Sequence, residues 1–547
     1  MSVNQNSSLD DGTDRHSVGV DLIDNGQGHT QKWGWRRHGD TYFTLLLSIG
    51  AYLTRVARIR KTKRRFKLRR KDFLFLVLLT AGALFVHGYH PWAEDGALYI
   101  PGVEKLLNQR LFPFNAQFFE SHAHLTLFPD LIAGSVRISH LPLPYALFLW
   151  NLLSIFLLLF ACWELAGKCF SRSASRYAAV AMVAALMTLP VAGTALYILD
   201  QYLNPRNLTA FVGILAIAKV LDRKYAMAAL LLLFGAAIHP LMSAFAMSLC
   251  FLLFCVERFE SHRALGACLL PFGFLDPPSA AYHQVATTHT YFYPMQWRWY
   301  EWLGAIGPVV ILWWFSRIAR CKQMRNMALV SRTLVLYQTI FVIAAVAVSA
   351  PARFESLARL QPMRSLHLVY ILLALFSGGL LGEYVLEDRW WRWMALFLPL
   401  CAGMFHAQRV LFPASAHIEW PGAMSRNPWV QAFEWVRDNT PADAIFALDP
   451  YYMNAAGADE NGFRAIAQRS MLADAVTDSG AVTMFPPMAE EWLEQVRAQN
   501  DWPRFQVQDF RRLQAKYGVN WVVLQQPGVM DLPCPYQNQT VKVCRLD

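Results

Sequence analysis

Residues 55–99 read RVARIRKTKRRFKLRRK, then DFLFLVLLTAGALFVHGY, then HPWAEDGALY. The first block holds eleven Lys or Arg and no acid. The second is an apolar run close to the roughly 20 residues that a helix needs to span a bilayer core. Basic residues beside a first span stay on the cytoplasmic side. The third block, with its adjacent acids Glu94 and Asp95, then emerges on the opposite side.

The pattern continues along the chain. Runs at 145–166, 177–199, 333–350 and 366–381 carry almost no charge. Charged residues make up 16% of the chain, against about 25% in soluble proteins. A backbone in lipid satisfies its own hydrogen bonds, so helices are the expected spanning form. The alternating strands of an outer-membrane barrel are absent, and a large soluble helical protein is excluded. Spans are predicted near 72–90, 143–166, 177–199, 207–221, 226–240, 241–256, 264–275, 303–319, 328–350, 366–386 and 393–412. Residues 124–139 are either a further span or a half-buried helix. Residues 226–256 are two short helices broken at His239-Pro240 or one kinked helix.

This count puts the N-terminus in the cytoplasm and the C-terminus outside. Lys168, Arg172, Arg176, Arg223, Lys224 and Arg258 then fall inside, as the positive-inside rule asks. The net charge of +11 equals the surplus of residues 55–71. Its juxtamembrane position points to membrane lipids, and no nucleic-acid partner is expected. Residues 1–40 read as a disordered cytoplasmic tail without a secretory signal. The run 42–53 is an interfacial helix or half of a hairpin.

After residue 425 the character changes. An amphipathic helix at 429–437, strands at 444–448, 519–524 and 541–545, and helices at 487–498 and 507–517 predict an α/β domain. The predicted organisation is a cytoplasmic tail and basic segment (1–71), a membrane domain (72–424) and an extracytoplasmic domain (425–547). The fold class is mainly α, a polytopic helical membrane bundle with a small C-terminal α/β soluble domain. Cys534 and Cys544, ten residues apart, are placed to form a disulfide in an oxidising compartment. The other cysteines read as small apolar residues.

The polar motifs fall on the outer side. Glu94 and Asp95 suit a general base, a divalent-cation ligand or a helix cap. His122, His124 and Asp130 match no metal signature. Asp200 to Arg206 (DQYLNPR) puts Arg206 at the membrane boundary, able to hold a phosphate or to snorkel. His239 lies in apolar surroundings. Arg353, Arg359 and Arg364 break the orientation trend, which marks them as candidates for lipid-phosphate binding. The aromatic loop 276–302 suits the interface.

Together these pieces resemble the GT-C superfamily of membrane glycosyltransferases. Glu94-Asp95-Gly96 with Tyr99 stands where that family carries its acidic motif. Asp200 to Arg206, His239-Pro240, Gln361-Pro362-Met363-Arg364 and Trp435 to Pro441 look like motifs of uncharacterised bacterial GT-C-like proteins. The resemblance covers residues 72–547 and implies about 11–13 spans. It implies inverting transfer of a hexosyl group from a polyprenyl-phosphate donor, on the periplasmic face of a bacterial inner membrane. Asp95 or Glu94 would be the base. Arg206, Arg353, Arg359 and Arg364 would hold the donor phosphate, with Tyr99, Asp200 and His239 beside the substrate. The family leaves a divalent cation open, and no metal ligands are assigned. One departure is that a second acidic pair in a later loop is missing.

A transporter and a non-catalytic assembly protein of envelope glycan synthesis are the alternatives. Transporters carry inverted repeats and broken mid-membrane helices. No repeat is visible here, and the charged candidates sit at span ends.

Overall fold

The helix Arg70–His87 carries the first apolar run, and the acidic loop follows it immediately. The computed structural model describes residues 69–258, 279–349 and 355–546. The expected segment 42–53 and the span 264–275 lie outside these residues, as do Arg353 and Cys268.

Among the described residues six helices are long and apolar enough to cross a membrane: Leu143–Cys169, Pro240–Arg258, Trp299–Cys321, Arg325–Ser349, Pro362–Leu386 and Trp390–Leu411. The chain is a mainly α, multi-pass membrane protein with a small C-terminal sheet. Shorter helices at Arg70–His87, Ser173–Ala185, Pro205–Leu221 and Tyr225–Ile238 occupy further expected spans. Trp390–Leu411 turns nearly its whole apolar surface outward, which lipid tolerates and water does not.

The expected span 177–199 is corrected. Its helix stops at Ala185, and a short hairpin pairs Pro190–Val191 with Leu196–Tyr197. Gly193 turns this hairpin at φ +65°, where a Cβ would overlap the Trp297 ring. His367 ties the hairpin down by donating from Nε2 to the Ile198 carbonyl at 2.9 Å. The segment 226–256 breaks at His239, which is extended, and Pro240 starts the next helix. A proline there lacks only an N–H that the first turn leaves unsatisfied. Residues 117–139 form Gln117–His124 and Phe128–Ser139. Twelve residues rise about 18 Å, too little to span.

Lys168 pairs with Asp222 at 2.8 Å, Arg223 with Glu257 at 3.0 Å, and Asn326 bonds the Lys168 carbonyl at 2.9 Å. These residues gather loop ends at one side. Arg206 begins the helix Pro205–Leu221 that ends beside Asp222, about 24 Å away along its axis.

After Asn427 caps the helix Pro428–Asn439, a five-stranded sheet forms in the order Ser470–Met471, Ile445–Ala447, Trp521–Gln525, Val541–Arg545, Tyr536–Gln537. The first three strands are parallel and the last two antiparallel. The outer pair are two-residue strands, too short to leave a hydrophobic pattern. Cys534 and Cys544 are joined by a disulfide. This region packs on the segment that follows the first helix: Phe463–Ala467 lies against Gly96–Leu107. Gly462 is required there, since a Cβ would overlap Ala97.

Candidate functional site

The helix Gly96–Leu107 starts just after the paired acids. Asp95 occupies its N-cap position but makes no side-chain capping bond. Its carboxylate instead accepts from Arg206 Nη1 at 3.0 Å and stays 41% exposed. Arg206 itself is 4% exposed, and it grips Asp200 Oδ2 through Nε at 3.2 Å and Nη2 at 3.0 Å. Asp200, 1% exposed, also accepts from Asn204 Nδ2 at 2.7 Å.

The motif from Asp200 to Asn207 closes on itself. Asn204 caps the helix Pro205–Leu221 by accepting from the Asn207 N–H at 2.9 Å. Asn207 donates through Nδ2 to the carbonyls of Asp200 and Tyr202. Helix start, proline and caps therefore fix where Arg206 leaves the backbone. Charge-assisted bonds of this kind are short and directional.

Glu94 has φ +49° and donates its N–H to the Glu460 carbonyl at 3.1 Å. Its carboxylate accepts from Tyr202 Oη at 3.1 Å and from Gln201 Nε2 at 3.4 Å. Burial, then the charges of Glu460, Asp200 and Asp95, hold its carboxyl well above the usual range. Burial raises Asp200 also, against the pull of Arg206.

Glu94, Asp95, Tyr99, Arg206, His239 and Arg364 line one cavity of about 330 Å³. Asp200 sits behind Arg206 rather than on the wall. Arg359 follows the short helix Glu355–Ala358 and is not among the lining residues, while Arg353 lies outside the described residues. The Arg364 guanidinium stacks over the Tyr291 ring at 5.2 Å. Its Nε is buried and has no hydrogen-bond partner. His122 stands edge-on to Tyr99 and Phe485, and burial lowers it to about 4. His289 bonds Ser479 and is likewise lowered to about 4 by burial.

Four wall residues, Glu94, Ala195, Gln361 and Glu460, hold left-handed backbone. Each such non-glycine position costs about 1–3 kcal/mol, and such strain gathers at functional sites.

A further acid reaches the cavity from the C-terminal region. In the run Ala458-Asp459-Glu460-Asn461-Gly462, Asp459 accepts from the Ala414 and Ser415 N–H groups. Glu460 lines the cavity. Two acids before Asn-Gly were its only signal, and nothing in their spacing tied them to residues some 365 positions earlier. Among the described residues no three His, Cys, Asp or Glu side chains are grouped to hold a metal ion.

No family model and no curated protein matches the chain. It is similar to the Archaeoglobus fulgidus oligosaccharyltransferase in its apo form, at 11% identity over 84% of this chain and 70% of that one, with a TM-score of 0.44. It is similar to AglB of that organism in complex with an inhibitory peptide and a dolichol-phosphate, at 11% identity, 84% and 70% coverage, and a TM-score of 0.41. The form with Zn and sulfate gives 13% identity, 82% and 68% coverage, and a TM-score of 0.38.

Proposed function

We propose that the chain is a membrane glycosyltransferase-like enzyme that moves a hexosyl group, with inversion, from a polyprenyl-phosphate donor. One juxtaposition carries this reading. An exposed carboxylate, Asp95, is held by a buried guanidinium in a cavity that Arg364 enters with an unspent donor. Asp95 takes the proton of an acceptor hydroxyl, which as a neutral group is a weak nucleophile. Arg364 binds the donor phosphate and offsets charge as the sugar leaves.

Arg206 has a different part from the one its position suggests. Its donors are engaged by Asp200 and Asp95, so it positions the base rather than holding phosphate. His239 and Tyr99 shape the wall. The cavity volume falls within the range of small-ligand sites.

The face is the periplasmic side of a bacterial inner membrane, with the N-terminus in the cytoplasm and residues 425–547 outside. What supports this side is the separation of Arg206 from the paired basic loop ends at Lys168 and Arg223. Reconstituted protein is expected to transfer or hydrolyse the sugar of a labelled polyprenyl-phosphate hexose, and Asp95→Asn to abolish this. Vesicle flux that survives Asp95→Asn would instead establish a transporter. An unchanged cellular role in that variant would establish a non-catalytic assembly protein.

A further inference from the structure

Glu94 and Asp95 are neighbours in sequence but receive opposite company. Asp95 has a guanidinium at 3.0 Å. The hydrogen-bond donors to the Glu94 carboxyl are both neutral, Tyr202 Oη and Gln201 Nε2. The nearby cation, Arg206, is spent on Asp95 and Asp200.

The third acid arrives from the C-terminal region. Three backbone links fasten its turn to the first loop: the Glu94 N–H to the Glu460 carbonyl at 3.1 Å, the Gly462 N–H to the Trp92 carbonyl at 2.9 Å, and a bridge between Ala93 and Asn461. Close packing of Gly462 on Ala97 leaves this turn little freedom. Asp459 faces away, onto the Ala414 and Ser415 N–H groups. Glu460 is the member directed to the cavity.

We propose that Glu460 is a positioning residue for Glu94, so that the cavity presents the guanidinium-held carboxylate of Asp95 beside a Glu94 carboxyl able to donate a hydrogen bond. An ionised Glu94 would repel an anionic donor group, whereas a protonated one binds it. This rests on the reading of the cavity as a lipid-phosphate site. The titratable groups facing Glu94 are Asp95, Asp200, Tyr197, Tyr202, Arg206 and Glu460. Burial and these acids raise Glu94, and burial first, then Asp459 and Asp95, raises Glu460. Adjacent titratable groups driven apart by their surroundings are how one site holds an acid and a base together.

The test is infrared difference titration of the full chain in detergent, which needs no transfer activity. One component of the protonated-carboxyl stretch at pH 7 is expected to titrate away at higher pH and to be missing in Glu94→Gln. In Glu460→Gln its midpoint is expected to fall by on the order of one pH unit, because a like charge is removed. Glu460→Asp should restore part of that shift. A stretch that is undiminished in Glu94→Gln, or a midpoint unmoved in Glu460→Gln, overturns the proposal. In the transfer assay, the alkaline limb of the rate profile should move with the midpoint. If the wild type shows no transfer while the infrared shift occurs, the enzyme reading fails and the carboxyl pairing stands.

Discussion

Two buried arginines in this chain each grip a pair of aspartates, and they serve different ends. Arg464 donates to both oxygens of Asp478, at 2.7 and 2.9 Å, with Asp474 at 3.9 Å. Each member of this cluster is almost wholly enclosed. The carboxylates are further engaged by backbone N–H groups, Asp474 by those of Val476, Thr477 and Asp478, and Asp478 by that of Asp474. None of Arg464, Asp474 and Asp478 lines the cavity. Arg206 repeats the pattern with Asp200 enclosed, but its second partner, Asp95, opens into a cavity. A closed cluster fixes a fold, while an open one offers an oriented charge to a substrate.

The contrast can be broken by substitution. Asp95→Asn is expected to lower transfer by about 10²–10⁴-fold, the usual contribution of a positioned base. Its thermal unfolding should stay close to the wild type, because a half-exposed ion pair contributes about 0–1 kcal/mol. Equal losses of stability and activity would show that the two clusters do not differ.

Asp478→Asn should behave in the opposite way. Removing one partner of an enclosed pair costs about 3–5 kcal/mol. Reduced yield and an earlier thermal transition are expected, with normal turnover per folded molecule. A variant as stable as the wild type would show that the enclosed cluster is dispensable.

Arg364→Lys sharpens the contrast on the cavity side. A lysine keeps the charge but loses the planar fork and the stack on Tyr291. A rise of about tenfold in KM for the lipid donor is expected, equivalent to about 1.4 kcal/mol. An unchanged KM would remove Arg364 from the phosphate role.

The smallest effect is in acid. His122 and His289 are held near 4 by burial, below the ordinary value of about 6.5. Between those values the unfolded chain binds protons that the folded chain refuses. Their contribution to stability is therefore complete above pH 6.5 and is lost as pH falls toward 4. His122→Gln should reduce the slope of stability against pH in that window by up to about one proton. Thermal denaturation at several pH values checks this.

Much of the bundle is legible as sequence. The basic block and the apolar runs act over a few residues, so they leave local patterns. The hairpin after Ala185 is not legible, because the run 177–199 is apolar enough to read as a continued helix. What ends it is Pro190 together with the fit of Gly193 against Trp297. Site residues follow the same rule. The acids at 94 and 95 announce themselves by position after the first span. The pairing of Arg206 with Asp200 is nearly local. Arg359, grouped with Arg364 by charge alone, faces elsewhere than the cavity.

The sequence by itself determined a helical membrane protein, an α/β tail and a set of polar motifs at helix ends. Hydrophobicity and local backbone chemistry act at short range, and that is enough for those features. Only the tertiary structure decided that Asp95 takes Arg206 as partner while Glu94 takes neutral donors and a distant Glu460. Charges select partners by distance in space, and the chain brings residues 94 and 460 together only after its helices have packed.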